Sequence, residues 1–127
     1  MKSLLSAALV AIPLAFGASA ASAQAFPSKP IRWLVPYPPG GGSDFLARTI
    51  GQQLSTQIGQ SVVIENKPGA ATAIGASEVA RAAADGYTVL SADNGTMVFN
   101  TALYSKLSYN PGKDLPPITL MGRFPLI

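Results

Sequence analysis

Residues 31–44, IRWLVPYPPGGGSD, constrain the fold more than any other part of the chain. The apolar run at residues 31–35 has one charge, Arg32, and its β-favouring content suits a strand buried on both faces, as in a parallel sheet. Prolines at 36, 38 and 39 stop it, and Gly40, Gly41 and Gly42 follow. Ser43 and Asp44, either of which can cap a helix, then open an amphipathic pattern. Strand, backbone-rich loop and helix start in this order expose unpaired N–H groups at the positive end of a helix dipole, a site suited to a small anion. Glycine lets a ligand lie directly against the main chain. Read in isolation, the same stretch also fits a Gly/Pro-rich surface turn that binds nothing.

The pattern repeats downstream. Leu46, Ile50, Leu54 and Ile58, with Phe45 and Ala47 beside them, form one helix face, and Gly59 stands where a helix stops. Residues 62–64 read as a second strand, closed by a turn over residues 65–69. An alanine-rich helix is expected over residues 72–84, burying Ile74, Ala76, Val79, Ala80 and Ala83 and ending at Asp85-Gly86. Residues 87–92 read as a third strand and 93–96 as a turn. A short helix is expected over 97–104, turns over 108–116 and a fourth strand over 118–121. Alternating strand and helix predicts an α/β fold on a parallel sheet. Right-handed crossovers then gather the strand-to-helix loops, residues 38–44, 68–74 and 93–96, on one rim. One glycine loop is weak evidence of a pocket; three on one rim are stronger.

Composition removes several chemistries. The chain has no cysteine and no histidine, so thiol chemistry, disulfides and the commonest general base and metal ligand are missing together. No metal or cofactor is expected. Lysines and arginines are scattered under a formal net charge of +3, which leaves no footprint for nucleic acid. At the N-terminus, Lys2, an apolar stretch from Leu4 to Phe16 and small residues up to Ala25 read as a secretory leader, cleaved after Ala25. An uncleaved anchor is the alternative, and its apolar stretch is short for a span. No later segment is apolar and long enough to span. Residues 26–127 are expected to be one partial domain, because residues 124–127 read as the opening of an apolar strand and the chain reads as a fragment.

Two nucleotide motifs fail on inspection. Neither glycine loop is followed by the Lys-Ser/Thr of a P-loop. The dinucleotide fingerprint would place a third glycine where Phe45 stands, although Glu65 lies roughly where a ribose-binding acid belongs. Asp44 and Glu65 as an acid/base pair would still need a nucleophile or a metal. Asp44 reads more simply as a helix cap that orients loop amides or a ligand's water, and Glu65 as a solvated strand-end residue. Asn94-Gly95-Thr96 fits an N-glycosylation acceptor but is read as a turn. The tyrosines are read as packing residues, with Tyr37 also a candidate pocket wall.

The motifs IRWLVPYPPGGGSDFLAR, VVIENKPGAATAIG, ADGYTVL and LYSKLSYNPGKDLPPITL, in this order and spacing, resemble the Bug family, the extracytoplasmic solute receptors of tripartite tricarboxylate transporters. The resemblance covers essentially the whole chain after the leader. It implies a periplasmic, non-enzymatic binding protein of two α/β lobes, with this chain ending inside the first and the second lobe absent. Such receptors close on a small carboxylate and present it to a membrane permease. The resemblance places carboxylate contacts, much of them backbone N–H, at Pro39, Gly40, Gly41, Gly42, Ser43 and Asp44. It places a second set at Gly69, Ala70, Ala71, Thr72 and Ala73, and polar contacts at Asn94, Gly95 and Thr96. The family's second loop is usually richer in glycine; here Ala71, Thr72 and Ala73 occupy its centre. Rival readings are an exported α/β hydrolase or nucleotide-binding enzyme fragment, and a periplasmic sensory module.

Overall fold

The central strand of the protein is the apolar run, and both of its faces are covered. In the computed structural model, which describes residues 25–123, β1 spans Ile31–Val35, with Leu34 and Val35 fully buried and Ile31 and Trp33 nearly so. The expected leader falls on residues 1–25, all but the last of which lie outside the described part, as do residues 124–127.

Helix α1 follows at Gly42–Ile58, β2 at Val62–Asn66, α2 at Ala73–Ala80 and β3 at Thr88–Leu90. The sheet has order β2-β1-β3, and both pairings are parallel. Ile31 faces Val62 and Val35 faces Asn66 on one side of β1; Arg32 faces Thr88 and Leu34 faces Leu90 on the other. The ladder runs one residue past the assigned strands, since Lys67 N–H donates to the Val35 carbonyl and Ser91 N–H to that of Leu34, each at 2.9 Å.

Side-chain alternation along β1 divides the core. Trp33 and Val35 pack with Ala47 of α1, joined by Ile50, Val62, Ile64, Val89 and Met121. Arg32 points the other way. Its guanidinium donates to Glu65 of β2 through Nε and Nη2 (3.0 and 2.8 Å) and through Nη2 to Glu78 of α2 at 2.9 Å, and Lys67 adds a contact to Glu78 at 3.5 Å. The two crossover helices therefore lie on opposite faces of the sheet. The α2 face has its own cluster of Ala76, Tyr109 and Leu115, flanked by Val79, Leu90, Met97 and Leu107.

Several expectations change. The α1 cap is Gly41, and Asp44 sits inside the first turn. Gly59 ends α1 at φ +66, as expected. Glu65 is tied to Arg32 instead of standing free in solvent. Helix α2 stops at Ala80, because residues 81–87 turn the chain back to place β3 beside β1. Asp85 holds this return by accepting from Tyr87 N–H at 3.0 Å and pairing with Lys29 at 3.2 Å. The expected turn at 93–96 is instead the start of a helix: a π-helical turn over Gly95–Phe99 runs into α3, Asn100–Leu103. A one-turn α4, Pro111–Asp114, follows. Residues 118–121 form no strand. Ile118 and Leu120 are exposed, and only Met121 reaches the α1-side cluster. No helix among the described residues is long and apolar enough to cross a membrane.

Candidate functional site

Parallel strands end on the same edge, so the loops leaving β1, β2 and β3 open together there. The order β2-β1-β3 means the chain leaves β1 first to one side and then to the other, which puts a topological switch point between β1 and β3. Crevices at such points are where open α/β sheets take ligands.

The first loop is shaped by Asp44. Its buried carboxylate accepts from Gly40 N–H at 2.9 Å, from Arg48 Nε at 3.0 Å and from Asn66 Nδ2 at 3.0 Å. Asn66 Nδ2 also donates to the Tyr37 carbonyl at 3.0 Å, and Arg48 Nη2 donates to Asn66 Oδ1 at 2.9 Å. The Arg48 bond, with those from Gly40 and Asn66, holds the Asp44 carboxyl at about 2, below the usual aspartate value. Gly40 N–H is thus turned onto the protein. The α1 first-turn amides of Gly42, Ser43 and Asp44 have no intrahelical acceptor, since the first such bond is Phe45 N–H to the Gly41 carbonyl. Asp44 is an anion beside these donors, and its charge is compensated by Arg48. A second anion can therefore approach the helix start without facing a bare carboxylate. An open hollow of about 290 Å³ lies here, lined by Tyr37, Pro38, Pro39, Gly41, Gly42 and Ser43.

The second loop is a run of positive φ: Gly69 (+123), Ala70 (+47), Ala71 (+47) and Thr72 (+75). Ala73 begins α2. Gly75, in its first turn, packs tightly: a Cβ there would lie 3.1 Å from both the Lys67 carbonyl oxygen and Pro36 Cβ, so a neighbour would have to shift.

The third loop braces the other two. Tyr37 Oη donates to Asp93 Oδ2, linking the exits of β1 and β3. Burial and this bond push the Tyr37 hydroxyl well above its ordinary pKa, so it keeps the proton it donates. Burial pushes Asp93 up, and the bonds from Tyr37 and Thr96 outweigh it, leaving the carboxyl below its usual value. Asp93 Oδ1 accepts from Thr96 N–H at 3.0 Å while its carbonyl accepts from Met97 N–H at 2.9 Å, the pattern of a helix N-cap. Thr96 Oγ1 lies 2.9 Å from Thr72 Oγ1 and 3.2 Å from Asp93 Oδ1. Asn100 Nδ2 donates to the Ala71 carbonyl at 2.6 Å, and Tyr109 Oη donates to that of Thr96 at 2.7 Å.

The expected site residues therefore fall into two groups. Pro39, Gly40, Gly41, Gly42, Gly69, Ala70, Ala71 and Asn94 are exposed on the rim, with Ser43, Ala73 and Gly95 half-buried. Asp44, Thr72 and Thr96 are buried and bonded to protein, so they form the frame. Tyr37, a candidate wall, lines the hollow. Arg48, Asn66, Asp93, Asn100 and Tyr109 were not singled out from sequence as members of this network. Among the described residues no group of three His, Cys, Asp or Glu is placed to hold a metal ion.

A family profile described as "Tripartite tricarboxylate transporter family receptor" matches residues 46–127. The chain belongs to this family. It is 38% identical over 111 residues to the protein BugT of Bordetella pertussis, covering 87% of this chain and 34% of that one, which bears out the Bug resemblance carried by the motifs. Two solved structures from Rhodopseudomonas palustris are similar, each at 39% identity. One, MatC with bound malate, superposes with a TM-score of 0.67 over 70% of this chain and 30% of its own. The other, Rpa4515 with adipate, gives 0.66 over 68% and 29%. These superpositions bear out the parallel-sheet lobe of a periplasmic-binding-protein-like fold. The chain spans about a third of the length of the curated relatives it matches, 36% and 34% for two of them. The family is one of transport receptors, not of enzymes.

Proposed function

We propose that this chain supplies the carboxylate-gripping part of a receptor's first lobe, residues 26–127, exported behind a leader at residues 1–25. The receptor delivers a small organic acid in the periplasm to the permease of a tripartite tricarboxylate-type transporter. The observation that carries the reading is the rim itself: Gly42 and Ser43, whose helix-start amides have no intrahelical acceptor, line the hollow beside Tyr37, and the Asp44 charge is compensated by Arg48. A carboxylate there exchanges its hydration shell for fixed backbone donors, and charge-assisted bonds of this kind are the stronger ones. Relatives of similar fold hold malate and adipate, both dicarboxylates. The larger groove, about 530 Å³, runs along α2 past Ile74, Ser77, Glu78 and Arg81. Its Glu78 carboxylate is paired with Arg32 and Lys67, as Asp44 is with Arg48, so the first-turn amides of α1, and not charge, favour the smaller hollow. Gly41, Gly42 and Ser43 would form the first contact set, Gly69, Ala70 and Ala71 the second, and Asn94 and Gly95 the third, with Gly40 and Ala73, whose N–H groups are bonded within the protein, and Asp44, Thr72 and Thr96 fixing their shape.

The test is thermal unfolding against a panel of mono-, di- and tricarboxylates, each paired with its neutral amide. A ligand that binds only the folded chain raises Tm with concentration. The reading predicts such a rise for at least one acid and none for its amide. No response to any acid, or an equal response to acid and amide, would contradict it.

A further inference from the structure

The second loop is the most strained piece of backbone in the described chain. Ala70, Ala71 and Thr72 are successive residues with φ between +47 and +75, where the Cβ of an L-residue crowds the carbonyl and glycine alone is at ease. Such a run persists only where its surroundings fix it. The loop and the helix it opens contribute two backbone bonds, Ala73 N–H to the Ala70 carbonyl at 3.0 Å and Ala76 N–H to the Thr72 carbonyl at 3.1 Å. The rest of the hold comes from the segment after β3. Asn100 Nδ2 donates to the Ala71 carbonyl at 2.6 Å and lies 3.3 Å from Thr72 Oγ1 and 3.2 Å from Tyr109 Oη. Tyr109 Oη is itself fixed by donating to the Thr96 carbonyl. Thr72, Thr96, Asn100 and Tyr109 are all buried.

We propose that Asn100 is a positioning residue for the anion site: by holding the Ala71 carbonyl inward, it aims the N–H of the Ala71–Thr72 peptide away from itself, toward the rim. The two ends of a trans peptide unit point in opposite directions, so fixing one aims the other. Without the Asn100 bond the peptide is free to rotate out of its left-handed strain. Rotation replaces a donor on the rim with a carbonyl oxygen, which repels a carboxylate. The shape of the second loop thus depends on the helix that follows β3, and Tyr109 anchors the residue that transmits the dependence. This deepens the carboxylate-receptor reading and rests on it for the ligand, but the backbone arm of the test stands without it.

The experiment compares the chain with Asn100→Ala, Ala71→Gly and the double variant, by NMR and by titration with malate. In the unaltered chain, Ala71 and Thr72 give the strong intraresidue Hα–HN cross-peaks of positive φ. Asn100→Ala is expected to lose them and to bind malate about fivefold more weakly or worse, the factor corresponding to the lower end of the cost of a left-handed L-residue. Glycine at 71 removes that residue's share of the strain, so the double variant is expected to recover part of the affinity. Should Asn100→Ala fail to fold, Tyr109→Phe, which keeps the ring and removes the anchoring hydroxyl, is expected to shift both readouts the same way. Cross-peaks and affinity unchanged in a folded Asn100→Ala, or in Tyr109→Phe where the first variant does not fold, would overturn the proposal. A double variant no better than Asn100→Ala would also overturn it. If the unaltered chain does not respond to malate or any other acid, the carboxylate reading fails, and the cross-peaks alone decide the role of Asn100.

Discussion

Asp44 is an anion placed where the proposed ligand is also an anion, and its bonding explains how both are accommodated. The carboxylate is spent on Gly40 N–H, Arg48 and Asn66, and these hold it at about 2 against 3.8 for the ordinary group. A carboxyl whose pKa is depressed by folding adds stability above its unfolded value, and that contribution fades as pH falls through the folded one. Asp44→Asn is therefore expected to be less stable than the unaltered chain at neutral pH, with the difference narrowing between about pH 4 and pH 2. Thermal unfolding across that range checks it, and a difference independent of pH would count against the assignment. Half of this was legible in the sequence. Asp44 stands four residues from Gly40, and a short acid after a glycine run reads as an organiser of loop amides. The partners that complete the frame were not legible: Asn66 is 22 residues from Asp44, and Asn100 is 29 from Ala71. Such contacts exist only once the sheet has brought distant loops together, and asparagine or tyrosine carries no periodic signal to mark them.

Periodicity located the elements well where one face is apolar, as in β1 and α1. It failed where tertiary context decides. The alanines after Ala80 have helix propensity, yet the chain turns there because β3 must return parallel to β1. Residues 118–121 read as a strand but pair with neither outer strand of the sheet, β2 or β3, and a strand is only as real as its partner. The asymmetric packing of α2 has a testable consequence. Gly75 brings its first turn against the Lys67 carbonyl and Pro36, and Lys67 is fixed by its own ladder bond to Val35. Gly75→Ala is expected to cost about 1–3 kcal/mol, the usual range for overpacking, because the neighbour that must give way is backbone. Chemical denaturation measures it directly. An unchanged or raised midpoint would mean that α2 can slide outward, and that the second loop is held less firmly than the Lys67 contact implies.

At the scale of the molecule, a run of hydrogen-bonded neighbours crosses the sheet edge from Gly40 through Asp44 and Asn66 to the Tyr37 carbonyl. It resumes at the Tyr37 hydroxyl through Asp93, Thr96 and Thr72 to Asn100 and the Ala71 carbonyl. Three loops expected on one rim from crossover handedness are thus one braced unit, in a chain that belongs to a family of transport receptors. In the proposed receptor, the open amides of this rim receive a carboxylate. The most direct measurement is a titration of the ¹⁵N-labelled chain with malate, followed through its amide resonances. Saturable shifts are expected, largest at Gly41, Gly42 and Ser43, with further shifts at Ala71, Thr72 and Ala73. Shifts confined to Ser77, Glu78 and Arg81 in the α2 groove, with the first-loop amides unmoved, would contradict that placement.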